Sequence, residues 1–301
     1  MIGFVNLYKE KGLTSFFNIK KLSKVLNGCK VGHSGTLDPI AEGVLPVSLN
    51  EATKLASYVM AEDKEYVAGA ILGFKTDSYD TTGNILGYGD KRIPQRDELE
   101  RILDSFVGDV ELEIPAYSAV NIDGKRAYEL ARQGLIENAG IRKSKIYSLE
   151  LIDYSYPNFT FAVKVEKGTY IRSIINRLGE LLGTFAVMDK LVRVKNGVFS
   201  IESSFTVDEI NKMYKNGNYN FLIPVNKVLP WSRVIVKDQA VIMVRNGVSI
   251  KRYNYLYIPE DLTDIVFITD SKGVILAIAE KIEGDIPFRN IRVFKNDNFK
   301  I

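Results

Sequence analysis

The chain has 301 residues, enough to bury a large core in one domain or in one large and one small domain. Its composition, 46% hydrophobic and 26% charged, is ordinary for a soluble globular protein, and no run of about 20 apolar residues is available to span a bilayer. The start MIGFVNLYKEKG lacks the basic opening and apolar run of a signal peptide, so a cytoplasmic protein is expected. One cysteine, Cys29, excludes an intramolecular disulfide, and one histidine, His33, leaves too few soft ligands for zinc. Composition leaves room for a carboxylate-held magnesium site, but no clustered acidic motif argues for one.

The net charge of +3 hides an uneven distribution. Residues 1–35 carry Lys9, Lys11, Lys20, Lys21, Lys24 and Lys30 against Glu10 alone, a balance of +5. Residues 36–67 reverse the sign, and 125–145 and 167–195 turn basic again, each with six cations and two acids. Such patches suit a polyanion that touches several faces, although lysines also serve simply to solvate helix surfaces.

Along the chain, Ile2 to Leu7 is a short apolar segment, and Thr14 or Ser15 can cap a helix whose apolar stripe runs from Phe17 to Leu26 before Gly28 stops it. Asp38 then sits in a loop of glycines and proline directly before the strand-like run Val44 to Leu49. Glycine admits unusual backbone angles, and Pro39 holds Asp38 out of the helical region, so the carboxylate can be pinned at one angle; an Asp between Gly and Pro is also a common turn former. Helical spacing predicts a helix over 51–60, and Glu65 to Phe74 reads as a central strand ending at Gly73. The polar run 76–83 reads as a turn network. Pro94 to Phe106 is predicted as a helix, Tyr117 to Ile122 as a strand, Asp123-Gly124 as a turn, and Arg126 to Gln133 as a short helix closed by Gly134.

Two alternating segments, Ile146 to Tyr156 and Phe159 to Glu166, read as strands joined at Tyr156-Pro157-Asn158, and Ile171 to Leu182 is a strongly amphipathic helix. Beyond Pro224 to Trp231 only short strand-like runs remain, which implies a small β-rich domain of about 70 residues. Strands and helices mix without the regular alternation of a doubly wound sheet, so the fold class is α+β.

Read together, the motifs resemble the bacterial tRNA pseudouridine-55 synthases, the TruB family. Lys9 with Gly12-Leu13-Thr14-Ser15 is similar to the family's K-P-x-G-x-[ST]-S motif, and Gly32 to Pro46 to its G-H-x-G-x-L-D-P-x-A-x-G-x-L-P signature. Gly73, Thr76-Asp77, Asp80 and Gly83 resemble its next segment, Pro115 to Gly134 the block after it, and Lys167 to Ser173 its K-G-T-Y-I-R-[ST] block. The match runs in order over about 190 residues, far more specific than any one short motif. Two departures concern RNA contacts only: Glu10 replaces the usual proline, and Val192 replaces the first arginine of an L-R-R segment, leaving Arg193.

The resemblance implies a mixed, mainly antiparallel central sheet with flanking helices over 1–225, including a mobile RNA-closing segment at 121–144, and a PUA-like RNA-binding domain over 230–301. It implies isomerisation of a flipped uridine in the T loop of tRNA, position 55, without cofactor or protein partner, by a monomer. Asp38 would be the essential carboxylate, acting as nucleophile or base; Arg172 would pair with it; Tyr66, Leu191 and His33 would hold the everted base. Weaker expectations place Lys9, Lys20, Lys21, Lys24, Lys125, Arg126, Arg132, Arg142, Lys143 and Arg193 against RNA, where cations position the backbone without reading sequence. Cys29 is expected to be structural or incidental. A tRNA-folding chaperone and a guide-RNA-dependent synthase subunit are the rival readings.

Overall fold

The computed structural model describes residues 1–301. Strand β1 (Gly3–Lys9) leads into helix α1 (Ser15–Val25), whose N-cap Thr14 accepts from the Phe17 amide at 3.1 Å. Next come β2 (Val31–His33) and β3 (Glu42–Leu49), the latter buried on both faces as its unbroken apolar run requires. The expected helix over 51–60 is a 3-10 turn, Asn50–Leu55, followed by α2 (Ala56–Met60). Asn50, with φ of 51°, is left-handed, and its side chain accepts from the Lys30 amide, so the segment begins tightly wound.

Strand β4 (Lys64–Leu72) alternates strictly, with Lys64, Tyr66, Ala68, Ala70 and Leu72 on the buried face. A small hairpin, β5 (Phe74–Thr76) and β6 (Ile85–Tyr88), precedes α3 (Arg96–Asp104) and β7 (Gly108–Pro115). The strand expected over 117–122 shrinks to β8 (Asn121–Ile122), paired with β9 (Lys125–Arg126) across the Asp123-Gly124 turn. The Tyr117 carbonyl is taken by the Arg172 guanidinium, not by a sheet ladder, which is why the chain bends there. Both turn residues have positive φ, as a two-residue hairpin demands.

Helix α4 (Ala127–Arg132) is followed by β10 (Asn138–Ser155) and β11 (Asn158–Val165). Helix α5 (Ile171–Leu182) buries Ile171, Arg172, Ile174, Ile175 and Leu178 and ends at Gly183 in the left-handed region. The larger, N-terminal part of the chain closes with β12 (Ala186–Asn196), β13 (Phe199–Ser200), α6 (Val207–Lys215), β14 (Leu222–Ile223) and α7 (Val225–Val228). Its main sheet runs β14-β1-β3-β12-β4-β11-β10-β7, with β2 and β13 attached at β3 and β12. Every neighbouring pair is antiparallel except β12 and β3, whose parallel contact sets Val192 beside Glu42 and Arg193 beside Gly43. That join sets Val192 and Arg193 of β12 beside the start of β3, directly after the Asp38 loop.

Helices α3 and α5 cover one face over a core that includes Tyr66, Phe161, Ile174 and Leu191, while α1 and α6 cover another part with Leu22, Leu45 and Ile210. The C-terminal sheet is built from β15 (Ser232–Val236), then, after α8 (Val241–Arg245), β16 (Tyr255–Tyr257), β17 (Ile265–Thr269), β18 (Ile275–Lys281) and β19 (Phe288–Val293), in the order β16-β15-β17-β18-β19. It is not loosely tethered. Phe267, Ile278 and Phe294 share a buried cluster with Phe4, Leu55 and Val59, and Trp231 packs between Tyr58 and Phe267 at ring distances of 4.7 and 5.1 Å.

Candidate active site

The loop carrying Asp38 is tied down from several directions. Ser15 Oγ donates to the Leu37 carbonyl at 3.0 Å and accepts from the Leu37 amide at 2.9 Å. The ammonium of Lys9, fully buried, donates to the carbonyls of Glu10, Pro39 and Ala41, and the Gly12 amide donates to the Pro39 carbonyl at 2.8 Å. On the opposite side Arg193, also buried, donates to the carbonyls of Val44 at 2.7 Å and Gly35 at 3.0 Å. A side chain at Gly43, where φ is 103°, would run into the Arg193 carbonyl, so only glycine fits between β12 and β3. The loop carbonyls are thereby satisfied by fixed donors, and the Asp38 carboxylate is left at the surface of the cleft.

Its partner is Arg172, in the first turn of α5. Arg172 Nε lies 3.1 Å from Asp38 Oδ2 and Nη1 lies 3.5 Å from Asp80 Oδ2. Nη1 also donates to the Ser78 carbonyl at 3.0 Å, and Nη2 to the Tyr117 carbonyl at 3.1 Å. The arginine side chain is 4% exposed while that of Asp38 is 35% exposed. One buried, permanently charged group therefore faces two carboxylates and also donates to two backbone carbonyls, which is the kind of pairing a buried charge requires. Asp80 is itself held: its Oδ1 accepts from Ser78 Oγ at 2.7 Å, the Thr82 amide at 2.9 Å and Thr82 Oγ1 at 2.6 Å. Of the two acids, only Asp38 is open to a ligand.

It opens into a cleft of about 660 Å³, within the size range of pockets that enclose small ligands, lined by Leu37, Tyr66, Ile171 and Leu191 on the apolar side and by Tyr117, Tyr128 and Tyr170 on the other. Arg132, Arg142 and Lys167 supply cations to the same lining. Burial raises the Tyr170 phenol above its ordinary value, against the opposing influence of Arg172, so it is a neutral hydroxyl at physiological pH. Lys64, whose ammonium donates to the carbonyls of Met60 and Glu62, also reaches the lining, and burial lowers it to about 8. A smaller polar recess of about 190 Å³, bounded by Asp77, Asp80, Thr82 and Asn84, lies on the other side of the Asp38 and Arg172 pair. No group of three or more His, Cys, Asp or Glu side chains is arranged to hold a metal ion.

Residues 21–171 match the sequence profile of the TruB family pseudouridylate synthase, N-terminal domain. The tRNA pseudouridine synthase B of Listeria welshimeri is 41% identical over 254 residues, 82% of this chain and 84% of that one. The protein of the same name in Clostridium perfringens strain 13 is 36% identical over 286 residues, covering 94% of this chain and 96% of that one. The chain belongs to the TruB family of pseudouridylate synthases. Among solved structures it is similar, with a TM-score of 0.70 and 26% identity over 99% of this chain and 87% of that one, to a chain of an H/ACA RNP bound to a substrate RNA containing 2'-deoxyuridine.

Of the residues singled out by the TruB resemblance, Asp38, Tyr66, Arg172 and Leu191 converge on the cleft, and Arg132, Arg142 and Arg193 join its lining. Tyr66 owes its place to the alternation of β4, and β12 lies alongside with Arg193 in register opposite Tyr66. His33 is placed apart: it sits on β2, opposite Val47 of β3, outside the cleft lining, with its Nδ1 buried and unbonded. Burial, and secondarily the Arg193 charge, lowers its pKa, so it is neutral at physiological pH.

Lys9, expected against RNA, is corrected to an internal brace, because it is fully buried and bonded to carbonyls flanking Asp38, while Arg193 borders the cleft yet is almost wholly buried and spends its guanidinium on the Val44 and Gly35 carbonyls. Lys21 is paired with Asp208 of α6 at 2.8 Å, whereas Lys20, Lys24, Lys125, Arg126 and Lys143 are exposed. Sequence reading also missed Asp80 as the second acid on Arg172, since the run 76–83 read as a turn network. Its signal was the same segment's match to the family motif. Tyr170, beside Arg172 in the K-G-T-Y-I-R block, was likewise there to be found.

Proposed function

We propose that this protein isomerises uridine to pseudouridine in the T loop of tRNA, at position 55, acting alone and without a guide RNA. The observation that carries the reading is the Arg172 to Asp38 ion pair, buried on the arginine side and open on the aspartate side, at the edge of a cleft walled by Tyr66 and Leu191. A base inside a folded loop must be turned out of its stack, at a cost of a few kcal/mol, before its glycosidic bond can be reached. Tyr66 and Leu191 supply an apolar slot for the uracil ring, and Arg132, Arg142 and Lys167 supply positive charge for the surrounding phosphates.

In the reaction the N1–C1' bond breaks, the uracil turns, and a C5–C1' bond forms; C5 gives up its proton and N1 gains one, so substrate and product have the same composition. Asp38 acts at the ribose, either by attack on C1' or by taking a ribose proton, and both routes need one carboxylate oxygen fixed against the sugar. Arg172 fixes it. Asp80 and the carbonyls of Ser78 and Tyr117 hold Arg172 in turn. The exposed cations of 121–144 close over the RNA in this reading, and the C-terminal sheet serves as a PUA-like RNA module.

The test is a bare T stem-loop transcript incubated with the purified protein in the absence of other proteins, guide RNA and divalent ions, followed by mapping of pseudouridine. Conversion at the position-55 uridine is expected, with Asp38→Asn abolishing turnover while RNA binding survives. Absence of conversion without a guide RNA overturns the proposal.

A further inference from the structure

Helix α1 carries an exposed stripe that the cleft does not use. Phe16 and Phe17, in its first turn, are 67% and 51% exposed, large apolar side chains left in solvent next to a well-packed core. Phe16, Lys20 and Lys24 follow one another at i, i+4 and i+8, so the aromatic pair and two cations share one face, over about 12 Å of helix. Lys20 and Lys24 make no ion pair, in contrast to Lys21, which turns to Asp208. The opposite face, through Ile19 and Leu22, is buried against β1 and β3 neighbours, so the stripe cannot rotate inward.

The stripe is also physically joined to the reactive loop. Ser15, immediately before Phe16, exchanges both hydrogen bonds with Leu37, the residue before Asp38. The start of α1 and the Asp38 loop are thus held together as neighbours in the fold. A second copy of the chain is a poor occupant, because a face-to-face contact would bring four lysines together. RNA fits both halves of the stripe: unstacked bases or riboses against the rings, phosphates against the ammonium groups.

We infer that the exposed face of α1 is a further RNA-contact surface, in which Phe16 and Phe17 stack on nucleobases of the RNA whose uridine enters the cleft and Lys20 and Lys24 take its phosphates. The inference rests on the functional reading above for the identity of the RNA. The rings would bind largely independently of salt, and the lysines through counterion release.

The experiment measures the affinity of a labelled tRNA transcript for the full-length protein by anisotropy, across a series of salt concentrations, together with KM for the same transcript. Phe16→Ser/Phe17→Ser is expected to weaken binding and raise KM about tenfold at every salt concentration, leaving the salt slope intact, and Lys20→Ser/Lys24→Ser to lower the slope by about 2. All four positions are exposed, and melting temperatures matching the parent's would show both variants folded. Affinities of both variants within twofold of the parent would overturn the inference, as would a parent that sediments as a dimer and a phenylalanine variant that sediments as a monomer. A parent that binds tRNA yet forms no pseudouridine would remove the isomerase reading and leave the α1 result standing.

Discussion

At the floor of the cleft every cation is matched inside the protein: Arg172 meets Asp38, Asp80 and two carbonyls, while Lys9 and Arg193 are spent on the carbonyls that flank the reactive loop. Along the rim the opposite holds. Lys125 stands in solvent, Lys143 is exposed with only Glu111 near it at 4.0 Å, Arg126 reaches only the Ala119 carbonyl, and Arg132 lies over the Tyr128 ring at 5.6 Å. Both regions are basic, yet the first uses charge to make one carboxylate immobile and the second keeps charge available to a partner. A reacting group needs a fixed angle, and a low-dielectric setting makes each internal bond count; a grip on phosphates needs long side chains free to adapt.

Perturbing the two regions should therefore give different signatures. The largest effect is expected from Arg172→Met, which takes away the cation shared by the buried Asp80 and the cleft-facing Asp38. Because Asp80 is the buried member of that pair and Asp38 opens to the cleft, the uncompensated charge at Asp80 should destabilise the fold by about 3–5 kcal/mol, and freeing Asp38 should cut turnover at least a thousandfold, read by denaturant melts and by single-turnover pseudouridine formation. A variant that kept half the parent's turnover would break the proposed division between floor and rim.

Lys9→Met should come next. The carbonyls of Glu10 and Ala41 lose this donor and that of Pro39 keeps only the Gly12 amide, which costs about 1–3 kcal/mol, and kcat should fall while KM for RNA hardly moves, because the side chain is enclosed and cannot touch a phosphate. A rise in KM with normal kcat would return Lys9 to the RNA surface. The rim variant Lys125→Ala/Arg126→Ala/Lys143→Ala is expected to raise KM severalfold and reduce the salt dependence of binding, with melting temperature held within about 2 °C of the parent.

The smallest effect concerns pH. Burial lowers Lys64 from the ordinary 10.5 to about 8, so between those values the unfolded chain holds a proton that the folded protein has released. Stability contributed at this site should rise across that interval, the cost of burying the charge being fully present below pH 8. The neutral amine still has N–H groups for the Met60 and Glu62 carbonyls. Relative to Lys64→Met, whose side chain does not titrate, the parent's melting temperature should therefore gain between pH 8 and pH 10; a constant difference would show that the ammonium is not desolvated.

Much of this architecture could be read locally. The apolar face of α5 and the alternation of β4 are periodic, and the Asp123-Gly124 turn has its own residue signature, as each depends on neighbours a few positions away. Strand β7 was missed although Val110, Leu112 and Ile114 alternate with Asp109, Glu111 and Glu113, and the long β10 that pairs with it was expected to begin only at Ile146. Helix α6 was missed although Thr206 and Glu209 form a capping box that was there to be seen.

By itself the sequence determined the family, the α+β class, the carboxylate at Asp38 and its pairing with Arg172, because those are carried by ordered motifs whose residue types have few substitutes. Tertiary structure alone decided that Lys9 and Arg193 face inward as braces, that Asp80 shares Arg172, and that His33 stands outside the cleft lining. The physical reason is burial. A lysine or arginine in a basic stretch reads as a surface cation until the fold encloses it, and the carbonyls beside Asp38 that Lys9 and Arg193 then satisfy lie thirty or more residues away in the chain.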